Sequence, residues 1–388
     1  MRPRDLSTHT AYEAGRGAEE VARELGLDRV ELVKLSSNEN PHGPSPRASE
    51  AIRAVADAVH TYPKSSHTDL LKALAERWGV APNQVWLANG GDGALDYLSR
   101  ALLDPGEEVL VSRPGFAYYA MSARYHHGRV KQYRLRKSED FAQTAAGVLE
   151  AYDGERIVYL TSPHNPTGSE IPLDDVLEIA EETDESTLVL VDEAYGEFTA
   201  APSAAGLIEG QSGSGDEDEG ESDRREKGTI GDGENVPTAE REDVAVLRTF
   251  SKAYGLAGLR LGYAITPASW AGAYARVNTP FAASEVACRA GLAALSDAEH
   301  VEHTVSSARW AREYMHEHID APTYESGGNF VLCEVGDAPN VVASLQESGI
   351  IVRDCSSFGL PECIRITCGT HEETHRAVET LDDLLEKW

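Results

Sequence analysis

Lysine is scarce in this chain: eight residues in 388, against twenty-seven arginines. Cysteine is scarcer still. The five present (Cys288, Cys333, Cys355, Cys363, Cys368) are odd in number and include no CxxC pair. That excludes a disulfide framework and points to small buried hydrophobes in a reducing compartment. No apolar run approaches the ~18 residues of a membrane span. The start, MRPRDLSTHT, lacks the apolar stretch of a secretory signal. Positive charge is in deficit, with 65 Asp and Glu against 35 Lys and Arg and a formal charge of -30. Such a field repels nucleic acid and anionic lipid. These absences predict a soluble, cytoplasmic protein with neither nucleic acid nor membrane as partner. The histidines carry no carboxylate spacing suited to zinc, so no metal site is expected; His126-His127 and His316/His318 read as solvated helix faces.

What is present suffices for a folded core. Hydrophobic residues make up 41% of the chain, which rules out disorder throughout, and the length allows one large domain and a smaller one, or two of middling size. High acid with little lysine suits a protein that must stay hydrated in concentrated salt. One acidic stretch does not account for the imbalance. Residues 209–243 hold thirteen acids and four bases, so without them the charge would still be -21. That stretch has seven glycines and no aromatic residue. It cannot bury enough surface to offset its ordering entropy, and it reads as a mobile surface loop.

Helical and strand periodicities alternate over most of the length, predicting an α/β fold with a largely parallel sheet. Ser45-Pro46 reads as an N-cap with Pro at N1, opening a helix to about Val59. A helix over Asp69 to Trp78 ends at Gly79, and strand Val85–Leu87 leads through a turn at Gly90-Gly91 into a helix ending near Leu103. Val109–Ser112, Ile157–Thr161, Thr187–Val191, Val244–Phe250 and Leu261–Ile265 read as strands covered on both faces. Past about residue 275 the character changes. Helices over 283–295 and 297–319 precede strands Asn329–Val335, Ile350–Arg353 and Cys363–Thr367 and a last helix from about Glu372. The expected organisation is an N-terminal segment (1–45), a large domain (46–275) and a small α+β domain (276–388).

Four local features converge on one chemistry. A buried strand ends in Asp192-Glu193-Ala194-Tyr195, and an acid at the carboxyl end of a parallel strand faces the crevice where open α/β sheets bind ligands. Another strand runs into Ser251-Lys252, followed by a glycine-punctuated stretch to Arg260. A desolvated lysine becomes a nucleophilic amine, as a Schiff base requires. Asn89-Gly90-Gly91-Asp92-Gly93 joins a strand to a helix whose free N–H groups favour phosphate; it is neither a Walker loop nor a GxGxxG. Ser162-Pro163-His164-Asn165-Pro166-Thr167-Gly168 follows a strand, with two prolines restraining the loop that carries the Asn165 amide. An amine for an aldehyde, an acid for a ring nitrogen, donors for a phenolic oxygen and an anion cradle match pyridoxal 5′-phosphate.

The chain resembles the fold-type I pyridoxal-phosphate aminotransferases, and within them the histidinol-phosphate branch. The resemblance rests on LSSNENPHGPSP (35–46), TYP (61–63), NGGDGALDYL (89–98), RPGFAYY (113–119), SPHNPTG (162–168), VDEAY (191–195), TFSKAYGLAGLRLGY (249–263), IIVRD and IRITCGT. It implies a large domain with a mostly parallel sheet covered by helices on both faces, plus a smaller α+β domain. By that resemblance Lys252 is the Schiff-base lysine, Asp192 the partner of the pyridinium N–H, and Tyr195 and Asn165 the partners of the phenolic oxygen. Ser251, Arg260 and the backbone of Gly91, Asp92 and Gly93 hold the phosphate, with Tyr62 reaching it from the second subunit of a homodimer. Phe116 stands where relatives carry a tyrosine stacked on the ring, and loses only the hydroxyl. The Asp192–Lys252 interval is longer than in relatives because the acidic stretch intervenes.

Arg353 and Arg365 lie between aliphatic neighbours on short strands, either paired with acids or awaiting an anion. The resemblance gives both to the substrate anion, with Tyr12 as a further contact and Asn329 lining the site. It implies exchange of the amino group of L-histidinol phosphate with 2-oxoglutarate, giving imidazole-acetol phosphate and L-glutamate, as in histidine biosynthesis. A threonine-phosphate decarboxylase-like enzyme and an aromatic or broad-specificity aminotransferase stay open. A non-catalytic cofactor-sensing regulator would need a DNA-binding domain, for which no sequence is spare.

Overall fold

The computed structural model describes residues 6–7, 9, 11, 17–26, 28, 32–64, 67–208 and 241–387. Tyr12 and residues 209–240, nearly all of the expected acidic loop, lie outside them. The first strand, Val33–Leu35 (β1), belongs to a second, smaller sheet. The main sheet comprises Val85–Asn89 (β2), Glu108–Arg113 (β3), Arg129–Arg134 (β4), Ile157–Thr161 (β5), Leu188–Asp192 (β6), Val244–Thr249 (β7) and Leu261–Ile265 (β8), in the order β2-β8-β7-β6-β5-β3-β4. β8 runs antiparallel to its neighbours β2 and β7, and the other adjacent pairs are parallel.

The alternation of side chains along β5, β6 and β7 explains why these strands read as unbroken apolar runs. Val158, Leu160, Val189, Val191, Val244 and Val246 enter one buried cluster, which also holds Leu70, Leu74, Val176 and Ile179 from two helices. Ile157, Tyr159, Leu188, Leu190, Ala245 and Leu247 enter another, with Leu95, Leu98 and Tyr119. Both faces of the sheet are therefore covered, as a parallel sheet requires.

Several boundaries differ from expectation for identifiable reasons. The helix from Pro46 stops at Val55 and tightens into a 3-10 turn over Ala56–Ala58. No separate turn intervenes after β2, because the helix Gly90–Leu102 begins directly at Gly90. Strand β4 was not expected. Its residues, RVKQYR, occupy the sheet edge, where only Tyr133 is buried and an apolar run is not needed. The helices Ala117–Tyr125, Leu173–Glu182, Ala271–Val277 and Ala338–Glu347 are further elements beyond those the periodicity predicts.

The second sheet adds Thr323–Tyr324 (β9), Phe330–Glu334 (β10), Ile350–Asp354 (β11) and Cys363–Thr367 (β12), in the order β1-β11-β12-β10-β9. β1 pairs in parallel with β11, so a strand from the N-terminal segment completes a sheet otherwise made by the last seventy residues. Its core shares one cluster with Ala308, Ala311 and Met315 of helix Ala298–His318, and with Ala377, Val378 and Leu381 of helix His371–Leu385. His316 is half-buried and shares a hydrogen bond with Thr323 Oγ1 (2.8 Å), so it does not lie on a solvated face.

Candidate active site

Successive strands of the main sheet deliver the expected groups at their carboxyl ends. β2 leads to Gly91 and Asp92, β3 to Phe116, β5 to Asn165, β6 to Asp192 and Tyr195, and β7 to Ser251 and Lys252. All of these border one cavity of about 310 Å³, to which β11 and β12 add Arg353 and Arg365. The crevice outside the carboxyl ends of an open α/β sheet is where loops can converge without breaking the ladder.

Asp192 is 5% exposed. Tyr119 OH donates to its Oδ2 (2.7 Å) and the Ala194 N–H to its Oδ1 (2.9 Å). Burial pushes its pKa up to about 6, against the lowering effect of those two donors. The turn that follows is braced from below. Glu193 Oε2 accepts from Arg248 Nη1 (2.7 Å) and Glu197 Oε1 from Arg248 Nη2 (2.5 Å), while Ser203 and the Ala204 N–H also donate to Glu193. Arg248 is 3% exposed and lies over the Trp78 ring at 4.8 Å. A buried cation facing two carboxylates holds one arrangement, because breaking either pair strands a charge.

Lys252 is half-buried, with Nζ donating to the Ser37 carbonyl (3.4 Å) and lying 5.5 Å from the Tyr195 ring centre. Asn38 Nδ2 donates to Tyr195 OH (2.9 Å), and Asn329 Nδ2 donates to the Asn38 carbonyl (3.1 Å). Asn329 thus stands behind the cavity wall, supporting Asn38. At the head of helix Gly90–Leu102, Arg260 Nη2 donates to Asp92 Oδ2 (3.1 Å). Burial raises the Asp92 pKa, with Arg260 and Lys252 opposing. Gly90 has φ +77°, and a Cβ there would run into the Arg260 guanidinium. Gly91 and Asp92, in the first turn of that helix, border the cavity, and the N–H groups of a first helical turn favour an anion.

The Asn165 loop is held by a buried histidine. His164 shares hydrogen bonds with Ser112 Oγ (3.0 Å) and Thr167 Oγ1 (2.8 Å), and burial pushes its pKa down to about 3, so the ring is neutral. Arg365 Nη1 donates to Asn165 Oδ1, and Nη2 to the Ser36 carbonyl (3.0 Å). Arg353 Nη2 donates to Ser357 Oγ (3.1 Å), and both guanidiniums lie near the Phe358 ring, at 5.4 and 6.0 Å.

Residues 30–381 match the family described as aminotransferase class I and II. The chain belongs to this family. Its similarity to named relatives runs end to end. A histidinol-phosphate aminotransferase of Haloarcula marismortui is 63% identical over 387 residues, covering 100% of this chain and 99% of that protein. One of Natronomonas pharaonis is also 63% identical, covering 99% and 100%. The crystal structure of histidinol-phosphate aminotransferase from Sinorhizobium meliloti in complex with pyridoxal-5′-phosphate superposes with a TM-score of 0.82 at 26% identity, covering 100% of this chain and 98% of that one.

Within this aminotransferase fold, Gly93 sits one turn into its helix and does not border the cavity; a Cβ there would meet Ala88 Cβ at 3.4 Å. Tyr62 is 85% exposed, its ring packed on Phe281 at 5.1 Å, away from the cavity of its own chain. Sequence reasoning missed Tyr119, Asn38, Ser36, Ser37 and Phe358, all of which border the cavity. Tyr119 had a visible signal: RPGFAYY places it three residues after Phe116 at the head of a helix, on the side of Phe116 that faces the sheet. Among the described residues, no group of three or more His, Cys, Asp or Glu could hold a metal ion. No helix among them is long and apolar enough to cross a membrane.

Proposed function

We infer that this aminotransferase uses pyridoxal 5′-phosphate to move the amino group of L-histidinol phosphate to 2-oxoglutarate, yielding imidazole-acetol phosphate and L-glutamate. The carrying observation is that Lys252, Asp192 and the arginines 353 and 365 border a single cavity, in a chain 63% identical to proteins named for this reaction. The donor set fits the cofactor. A half-buried amine, a buried carboxylate, and a helix N-terminus beside Arg260 and Ser251 are the three grips its aldehyde, ring nitrogen and phosphate need.

When bound, the cofactor supplies an aldehyde for a primary amine and a ring that accepts the electron pair released as the substrate Cα loses its proton. Asp192, ionised at neutral pH, holds a proton on the ring nitrogen and thereby favours that acceptance. Lys252 Nζ would hold the aldehyde at rest and, as a free amine, would take the proton from the substrate Cα and deliver it to the former aldehyde carbon. Tyr195 and Asn165 orient the phenolic oxygen, and Phe116 offers an aromatic face. Ser251, Arg260 and the Gly91–Asp92 backbone bind phosphate. Arg353 and Arg365 accept alternately the phosphate of histidinol phosphate and a carboxylate of glutamate, both of which a guanidinium fork binds bidentately.

Residues 1–45, 46–275 and 276–388 are proposed as the N-terminal segment, large domain and small domain. The protein is proposed to work in the cytoplasm as a homodimer, with Tyr62 of each subunit reaching the other's phosphate site. The exposure of Tyr62, Val59 and Phe281 supports that arrangement. Sedimentation at the 42.0 kDa of a single chain would contradict it. Its charge of -30 supports adaptation to concentrated salt, so its unfolding temperature rises from dilute buffer to molar KCl; a fall would count against this. The test of function is parallel assay of glutamate formed from 2-oxoglutarate with histidinol phosphate or with phenylalanine, and of carbon dioxide from threonine phosphate. Glutamate from histidinol phosphate well above the other signals is expected. Faster turnover of phenylalanine, or release of gas, would move the protein to another branch of the family.

A further inference from the structure

Asp192 sits in surroundings that oppose its charge. It is buried, and Asp92 from the helix after β2 and the adjacent Glu193 both add to the cost of ionising it. Lys252 and Tyr195 lie across the same cavity, and Thr161 and Asn165 on the β5 side. Two donors reach its carboxylate, one to each oxygen: the Ala194 N–H and Tyr119 OH. Tyr119 is 1% exposed, and its oxygen also lies 2.8 Å from Thr161 Oγ1. A phenol has one proton. An ionised carboxylate can only accept, so that proton points to Asp192 and the Thr161 hydroxyl donates to the phenol. The Tyr119 ring stacks on Tyr159 (4.9 Å, 19°), and Phe116 meets it edge-on (5.4 Å, 83°).

We propose that Tyr119 is a positioning residue for the transfer reaction: it aims the Asp192 carboxylate, keeps it ionised, and seats Phe116 against the same ring. The inference rests on the cofactor reading above. A cofactor ring would lie against Phe116 while its nitrogen met Asp192, so one buried phenol registers both contacts. Without the phenol, Asp192 keeps a single donor and protonates more readily. The ring nitrogen then loses its ionic partner and its proton. With the ring no longer cationic, Lys252 Nζ would keep its proton to higher pH.

The test is a pH titration of the visible absorbance of the cofactor-loaded full chain, alongside cofactor retention on dialysis. In Tyr119→Phe the midpoint is expected to move up by about one pH unit, since a charge-assisted hydrogen bond is worth that much, and the cofactor to be lost faster. Thr161→Val, which removes only the outer link, moves it the same way by less. Incorporating 3-fluorotyrosine at position 119 keeps the shape but strengthens the donor, and moves it down. A phenol that only packs would leave the fluorinated protein at the wild-type midpoint, which overturns the proposal. So does Tyr119→Phe with unchanged midpoint and retention. Should Tyr119→Phe fail to fold, as circular dichroism would reveal, the fluorotyrosine comparison decides alone. Wild-type protein that takes up no cofactor would overturn the underlying reading instead, before any variant is compared.

Discussion

Replacing Asp192 by Asn should stabilise the cofactor-free protein while disabling it. The carboxyl has its pKa raised from 3.8 to about 6 by burial. The folded state therefore binds this proton more tightly than the unfolded chain, and stability from this group is full below pH 3.8 and lost as pH rises through about 6. The gap amounts to about 3 kcal/mol at pH 7. Asparagine removes the charge but not the whole problem. Tyr119 and the Ala194 N–H both donate to the carboxylate, and an amide turns one acceptor into a donor, at a cost of about 1–2 kcal/mol. The net expectation is a gain of about 1–2 kcal/mol at pH 7 that vanishes, or turns to a loss, near pH 4. Urea denaturation of the cofactor-free wild type and variant across that range measures it, since other titrating groups cancel in the difference. A variant less stable than wild type at pH 7, with the same pH slope, would refute the picture of a carboxylate held ionised against its surroundings.

Two further substitutions probe the frame. Gly196→Ala places a Cβ against the Arg248 guanidinium, in a clamp that cannot shift without stranding Glu193 or Glu197. A loss of about 2–4 kcal/mol in chemical denaturation is expected, and a change under about 0.5 kcal/mol would contradict the clamp. Arg365→Lys keeps the charge but loses the fork that joins Asn165 to the Ser36 carbonyl. Its KM for histidinol phosphate should rise at least about tenfold with cofactor affinity little changed; an unaltered KM would remove Arg365 from the substrate site.

Much of the site was legible because its parts are contiguous in the chain. Asp192 and Tyr195 follow β6 directly, Lys252 follows β7, and Asn165 follows β5, so locating the strand ends located the groups. The parts that escaped are defined by partners far away in sequence. Asn38 matters because its amide meets Tyr195 and its carbonyl is held by Asn329, 291 residues on. Nothing in SSNEN announces that pairing. Ser36 and Ser37 act through backbone carbonyls, which carry no sequence signal. In the fold, the both-face-buried strands declared themselves by composition, while β4 at the edge and the three-residue β1 did not. The β1 residues, VKL, gain their structure from parallel pairing with β11, a contact across more than three hundred residues. The solvated helix face expected for His316 gives way for the same reason, since its partner Thr323 lies beyond the end of its helix.

The central claim is that Lys252 bonds covalently to the cofactor and carries the proton. Lys252→Ala, purified with excess pyridoxal 5′-phosphate and treated with borohydride, tests it most directly when mass spectrometry of wild type and variant is compared with turnover of histidinol phosphate. Wild type should gain the mass of one reduced cofactor on the peptide containing Lys252, and the variant should gain none and turn over at least about a thousandfold more slowly. A label on another lysine, or a variant that keeps its activity, would contradict the account.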